Sequence, residues 1–430
     1  YFSAMEPTNF LEEMKWRGMY FDHTPGVEEY LKPGARGYIG FDPTSDSLTI
    51  GNFVQLMILT IFQKHGHQPI VLMGGATGRI GDPSGKDKER ELKSVEEIDA
   101  NVQSQADIIR RILNFDESDN SAVMINNISF YDEMNVLTFL RDVGKTLTVN
   151  YMTSKESVKK RVETGMSFTE FSYQLLQGYD FQVLYNNENC ALQMGGSDQW
   201  GNITTGTEFI RRNSGGKAYG ITTPLLTKSD GSKMGKSESG AIWLSADKTS
   251  PYAFYQYWLN ADDADLENLI KYFSLNSFAD MKGMIKRVGE DPRGVKKELA
   301  QELTARIHGD ESVEQVEQVS TLLFSKKLTA ETIHEISGQA FNMVAADIPG
   351  HEFAKTSIEN EKTLSDFLTE DCPIFSSKGE MRRAVKGNAL SINKSKISDP
   401  DMTVSSTDLI HGKYIMVENG KKNKFLLQAN

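Results

Sequence analysis

The chain has 430 residues, more than one hydrophobic core usually organises, so about two to four domains are expected. No stretch approaches the roughly 18 to 20 uninterrupted apolar residues of a membrane span, and the first residues lack a secretory pattern. A cytoplasmic protein without a membrane role is therefore expected, with Tyr1 to Ala4, ahead of Met5, read as a cloning scar. Cys190 and Cys372 stand far apart without metal-ligand neighbours, which argues against a disulfide framework and against protein-bound metal. The formal charge of -12 hides a split: from Phe375 onward there are ten basic residues against five acids. That tail is +5 and the remainder -17, the pattern of an acidic body carrying a basic module able to meet phosphate, or of a lysine-rich solvated surface.

Along the chain, Asn9 with Glu12 three residues on predicts a capping box and a short helix ending near Gly18. Gly37–Phe41 reads as a strand, Asp42–Leu48 as a polar loop, and Ile50–His65 as an apolar helix stopped by Gly66. Pro69–Met73 is a β-branched run entering a glycine-rich loop, Gly74–Gly85, and further strands are expected at Ala122–Asn126, Ala191–Met194 and Gly220–Leu226. Strands alternating with helices predict an α/β fold, a doubly wound, Rossmann-like parallel sheet with its site at the carboxyl ends of the strands. From Pro251 to about Phe324 the pattern is helical, and near the end it turns compact again, with a helix around Lys378–Val385. The expected domains are 5–227 for catalysis, with a connecting insertion near 128–165; 228–325, a lysine-bearing loop and helices; a linker at 326–360; and a small α+β domain at 361–430.

Two motifs carry chemistry. Gly40-Phe41-Asp42-Pro43-Thr44 followed by Leu48-Thr49-Ile50-Gly51-Asn52 places a loop against a helix N-terminus, whose unpaired N–H groups and partial positive charge suit phosphate. Lys233-Met234-Gly235-Lys236-Ser237 puts two lysines three apart on a loop of small residues, able to neutralise charge growing on a leaving pyrophosphate. A P-loop would need glycine where Asp230 stands, and in the earlier glycine loop Lys86 is followed by Asp87 instead of Ser or Thr. Separately, Tyr173, Gln177 and Asp180 fall at i, i+4 and i+7, so one helical face presents a phenol, an amide and a carboxylate among Phe171, Leu175, Leu176, Tyr179 and Phe181.

The two motifs, in this order, resemble the HIGH-type and KMSKS-type signatures of class I aminoacyl-tRNA synthetases. Residues 37–44, 74–84, 167–180 and 193–202 narrow the resemblance to the bacterial-type tyrosyl enzymes. The resemblance implies ATP-dependent activation of L-tyrosine, with magnesium travelling on ATP, and transfer of tyrosine to its tRNA by a homodimer. It implies that Tyr38 and Asp180 meet the substrate's phenolic hydroxyl, that Tyr173, Gln177 and Asp82 hold its ammonium group, and that Gln193 belongs to the same pocket. It assigns Gly40, Asp42, Gly51, Asn52, Gly196, Asp198 and Gln199 to ATP, with Met234 in the lysine loop. Thr44, Thr49, Lys233 and Lys236 go to the phosphates, and Lys86 and Arg90 to a loop that tightens in the transition state.

Ser377-Lys378-Gly379-Glu380-Met381-Arg382-Arg383 with Leu390-Ser391-Ile392-Asn393 resembles an S4-type RNA-binding module, which implies RNA contacts from Lys378, Arg382, Arg383 and Lys386. A second basic cluster, Lys155, Lys159, Lys160 and Arg161, is open to two readings, acceptor-arm contact or a solvated face. Thr49 departs from the histidine usual in the family motif and loses reach and cationic character. That departure keeps in view a synthetase-like RNA-binding protein with little catalysis; the tryptophanyl sibling suits Tyr38 and Asp180 less well.

Overall fold

The computed structural model describes residues 5–84, 91–232, 234–237, 240–325, 327–359, 362–420 and 423–430, with backbone alone at 156, 157, 160, 164, 236 and 237. Contacts divide the chain into two compact units, one running to Lys248 with Leu259–Leu299, the other Thr249–Trp258 with Ala300–Asn430.

The first unit is built on six strands: β1 (Asp22–His23), β2 (Arg36–Phe41), β3 (Gln68–Met73), β4 (Val123–Asn126), β5 (Leu192–Gly196) and β6 (Tyr219–Thr223). Their order is β1-β6-β5-β2-β3-β4, parallel throughout except for β1, which runs antiparallel to β6. The sheet is doubly wound as expected, and the winding reverses between β2 and β5, where Tyr38 pairs with Gln193. Ile70, Val71, Leu72 and Met73 of β3 are all buried, the unbroken apolar run of a strand covered on both faces. Helix Ile50–Lys64 hides Ile50, Phe53, Val54, Leu56, Met57, Ile58, Leu59, Ile61 and Phe62, so it is a core helix rather than a surface one. Helix Phe168–Glu188 opens where Ser167 accepts the Glu170 N–H and closes at Asn189 in the left-handed region, φ 49°.

Two local expectations need correction, and one strand was not anticipated. Asn9 caps the first helix, Phe10–Trp16, but the Glu12 carboxylate turns outward to the Thr8 N–H and hydroxyl, so the box is half made. Strand β6 ends at Thr223 because Pro224 has no N–H to give. β1, two residues long, is too short for any periodicity to announce.

A small hairpin follows, β7 (Lys236–Ser237) with β8 (Gly240–Ala241). In the second unit, β9 (Gly350–Phe353), β10 (Leu390–Ile392), β11 (Ser395–Lys396), β12 (Tyr414–Asn419) and β13 (Asn423–Ala429) form a sheet ordered β11-β10-β12-β13-β9. Helix Lys378–Lys386 contributes Met381 and Val385 to the core with Leu364, Phe367, Leu390, Val417 and Leu427. Part of the stretch expected as a linker is thus structural: Phe341 and Val344 of helix Gly338–Asp347 are buried, and β9 pairs in parallel with β13. The signal was weak because β9 is short and glycine-led.

Candidate active site

The reversal between β2 and β5 leaves a cavity of about 330 Å³ at their carboxyl ends. Its inner wall is polar. Tyr38 on β2 is 1% exposed, and its hydroxyl has no hydrogen-bond partner among the described residues. Asp180 is equally buried, and its Oδ1 accepts from the Tyr131 hydroxyl at 2.7 Å while Oδ2 accepts from Asn127 Nδ2 at 2.8 Å. Burial pushes the Asp180 carboxyl up to about 7; these two donors hold it lower than burial alone would, and the charge of Asp42 adds to the rise. Burial, and then the Asp180 charge, push the Tyr38 phenol well above its ordinary value.

The helical triplet does share one face, since Tyr173, Gln177 and Asp180 all line the cavity. Tyr173 donates to Asp42 Oδ2 at 2.9 Å and Thr77 to Asp42 Oδ1 at 2.7 Å, so Asp42 is tied down by the chain itself. A Cβ at Gly74 would lie 2.2 Å from that Oδ1, which explains glycine at this point of the loop. Asp82 accepts from Gln199 Nε2 at 2.8 Å, from the Ser84 N–H at 2.9 Å and from Asn202 Nδ2 at 3.3 Å. Gln177 Oε1 and Gln193 Oε1 are buried without partners among the described residues, acceptors available to a ligand.

Gly40, Thr44, Gly51, Asn52, Gly196, Asp198 and Gln199 also line the cavity. Burial, then the Asp82 charge, raise the Asp198 carboxyl. Thr49 and Met234 are not among the lining residues. Thr49 is the N-cap of helix Ile50–Lys64, and its N–H and hydroxyl donate to Asn52 Oδ1 at 3.0 and 2.9 Å. The lysine loop is nonetheless brought to this turn: Ile50 N–H meets Ile242 O at 3.2 Å, Leu244 N–H meets Leu48 O at 2.8 Å, and Thr49 bridges to Trp243. Lys86, Arg90 and Lys233 lie outside the described residues, as does the Lys236 side chain.

Sequence reasoning missed Asn127, Tyr131 and Thr77, which hold the carboxylates in place. Asn127 directly follows β4, at the carboxyl edge where such sheets build sites, and that position was the available clue. Neither an acceptor-arm contact nor a solvated face describes Arg161: it is 4% exposed and grips Glu170 through Nε at 3.1 Å and Nη2 at 2.8 Å. Lys155 sits 4.4 Å over the Tyr151 ring and Lys159 is exposed. In the second unit, Lys378 pairs with Asp366 and with Glu370 at 3.4 Å, and Arg382 with Asp401 at 3.1 Å, while Arg383 and Lys386 are exposed. Among the described residues no group of His, Cys, Asp and Glu is arranged to hold a metal, and no helix is long and apolar enough to cross a membrane.

Residues 32–325 match the family described as tRNA synthetases class I (W and Y), and residues 341–427 match the Tyrosine--tRNA ligase SYY-like C-terminal domain. The chain is 48% identical to the tyrosine-tRNA ligase of Flavobacterium johnsoniae over 98% of its own length and 99% of that protein, and 46% identical to that of Bacteroides fragilis over 98% and 100%. Among solved structures it is similar to a C-terminally truncated mitochondrial tyrosyl-tRNA synthetase of Aspergillus nidulans, with TM-score 0.67 and 29% identity, covering 74% of this chain and 95% of that one.

Proposed function

The chain belongs to the tyrosine-tRNA ligases of the class I aminoacyl-tRNA synthetase family, and on that premise we propose how its residues divide the reaction. Such an enzyme activates L-tyrosine with ATP, forming tyrosyl adenylate and releasing pyrophosphate, then transfers tyrosine to tRNA. Tyr38 and Asp180 receive the phenolic hydroxyl. The observation that carries this is the buried Tyr38 hydroxyl, without a hydrogen-bond partner among the described residues, which lines the same cavity as the buried Asp180 carboxylate. A donor and an acceptor there match a group that both donates and accepts, whereas phenylalanine would leave the Tyr38 hydroxyl unpaired and the remaining acceptor capacity of Asp180 unused in a buried site.

Tyr173, Gln177 and Asp82 take the ammonium group, and Gln193 supports the pocket floor. Gly40, Asp42, Gly51, Asn52, Gly196, Asp198 and Gln199 take adenosine and its ribose, where a helix N-terminus and glycines allow close approach. Thr44, Lys86, Arg90, Lys233 and Lys236 meet the phosphates, with Thr49 and Met234 shaping the loops that carry them; the motif resemblance supports this assignment. The tyrosine carboxylate, already ionised, attacks the α-phosphate in line and the bond to pyrophosphate breaks, so no general base is needed and catalysis is positioning and charge stabilisation. Magnesium enters with ATP and offsets phosphate charge.

We assign activation to 5–227 with the lysine loop, helical tRNA contact to 228–325, and RNA capture to 361–430, in which Arg383 and Lys386 are the more available cations and Lys378 and Arg382 must exchange carboxylate partners for phosphate. Homodimerisation through the 128–165 insertion is supported by Val136, Leu137 and Leu140, all exposed and apolar. The cytoplasm is the expected compartment. Amino-acid-dependent pyrophosphate exchange tests the core of this reading: tyrosine should support it and phenylalanine should not, and Asp180→Asn should erase the preference. Equal exchange with both amino acids in the unaltered protein would refute it.

A further inference from the structure

We propose that Tyr131 is a positioning residue for specificity: its hydroxyl holds the Asp180 carboxylate as a hydrogen-bond acceptor, oriented toward the hydroxyl of the amino acid. This rests on the assignment of Asp180 to the substrate's phenol. A carboxyl group serves that purpose only while ionised and fixed, because a protonated one would present a donor and accept less well. The pocket works against the ionised form. Asp180 is 1% exposed, and the loop after β2 adds the negative charge of Asp42. The other titratable groups around it are phenols, Tyr38 from β2 and Tyr173 and Tyr179 from its own helix.

Two donors oppose this, and both come from the segment after β4. Asn127 takes Oδ2 at 2.8 Å and Tyr131 takes Oδ1 at 2.7 Å, so each oxygen is held by one donor and keeps a further lone pair for the substrate. Asn127 is itself fixed by its bond to Thr77 Oγ1 at 3.1 Å. Tyr131 reaches the Leu176 carbonyl oxygen at 3.1 Å as well, one turn before Asp180 on the same helix. Its hydroxyl therefore bridges the backbone and side chain of the element that carries Asp180. The Tyr131 ring rests against Tyr179 at 5.6 Å, and Tyr131→Phe would keep that contact while removing the donor.

The test uses the full-length protein and follows kcat/KM for tyrosine in pyrophosphate exchange across about pH 5.5 to 8.5, with phenylalanine as competitor. A hydrogen bond to a charged group corresponds to about one pKa unit or more. Tyr131→Phe should therefore move the acid limb up by about one unit, and lower the preference for tyrosine over phenylalanine roughly tenfold near that limb, with KM changing more than kcat. A limb and a preference that stay in place would overturn the proposal and leave Tyr131 a packing ring. A limb that moves down would also overturn it, because Tyr131 would then be accepting a hydrogen bond from the neutral Asp180 carboxyl while donating its own to the Leu176 carbonyl oxygen. Asp180→Asn separates this proposal from its premise. If that variant keeps the tyrosine preference, the Asp180 assignment has failed. If it loses the preference while Tyr131→Phe changes nothing, the role of Tyr131 alone has failed.

Discussion

Gly235 in the lysine loop offers a sharp test of how the two signature motifs work together. Its φ of 83° lies in the left-handed region, and a Cβ built there would sit 2.9 Å from Ile50 Cβ, at the start of the helix that Thr49 caps. In Gly235→Ala the left-handed backbone costs about 1 to 2 kcal/mol. The new methyl must also retreat from a carbon lying inside the ordinary separation of roughly 3.5 to 4.0 Å, so a total on the order of 2 to 3 kcal/mol is reasonable. The hairpin β7–β8 would relieve this by lifting away from Ile50, stretching the 3.0 Å bond from the Ile242 N–H to the Gly235 carbonyl oxygen. Restoring it around ATP then costs what was relieved, which predicts a fall in activation of roughly 30- to 160-fold. Tyrosine binding should hardly change, since Gly235 is not among the residues that line the cavity with Tyr38 and Asp180. Single-turnover adenylate formation over an ATP series, beside equilibrium tyrosine binding, measures both. Activation within about twofold of the unaltered protein would refute the reasoning.

Two further outcomes are expected. Glu170→Gln takes the Glu170 charge away from the buried Arg161 guanidinium and should destabilise the fold by about 3 kcal/mol, read as a lower denaturant midpoint; an unchanged midpoint would mean that the Glu170 charge is not what holds Arg161. A chain ending at Ser325 should still form tyrosyl adenylate but charge tRNA poorly, and its log-log salt slope should be shallower by about 0.7 to 0.9 for each phosphate that the removed module would have neutralised. Unaltered charging would show that the basic C-terminal surface is only solvated.

The parallel sheet was legible because β2 and β3 are compact apolar runs between clear turn signals, and the site's helical face was legible because three polar residues at helical spacing stand among large apolar ones. What could not be read was everything set by tertiary pairing. Nothing local says that Tyr131 reaches Asp180, or that Arg161 turns inward to Glu170, because a basic run on an amphipathic helix looks the same whether one member is buried or none. Thr49 illustrates the same limit. The motif implies a place near the triphosphate, and that its hydroxyl also donates to Asn52 is decided by geometry within a single helical turn.

The short backbone ladder that ties Leu48–Ile50 to Ile242–Leu244 also has a consequence for how such a chain can change over generations. Because the first motif is joined directly to the strand segment that follows the lysine loop rather than through the polypeptide between them, insertions or losses in the intervening segments need not disturb their mutual spacing. Peripheral modules can be gained, enlarged or shed from that stretch while the pair stays in register, and drift is tightly constrained only at the few backbone positions where the ladder is made.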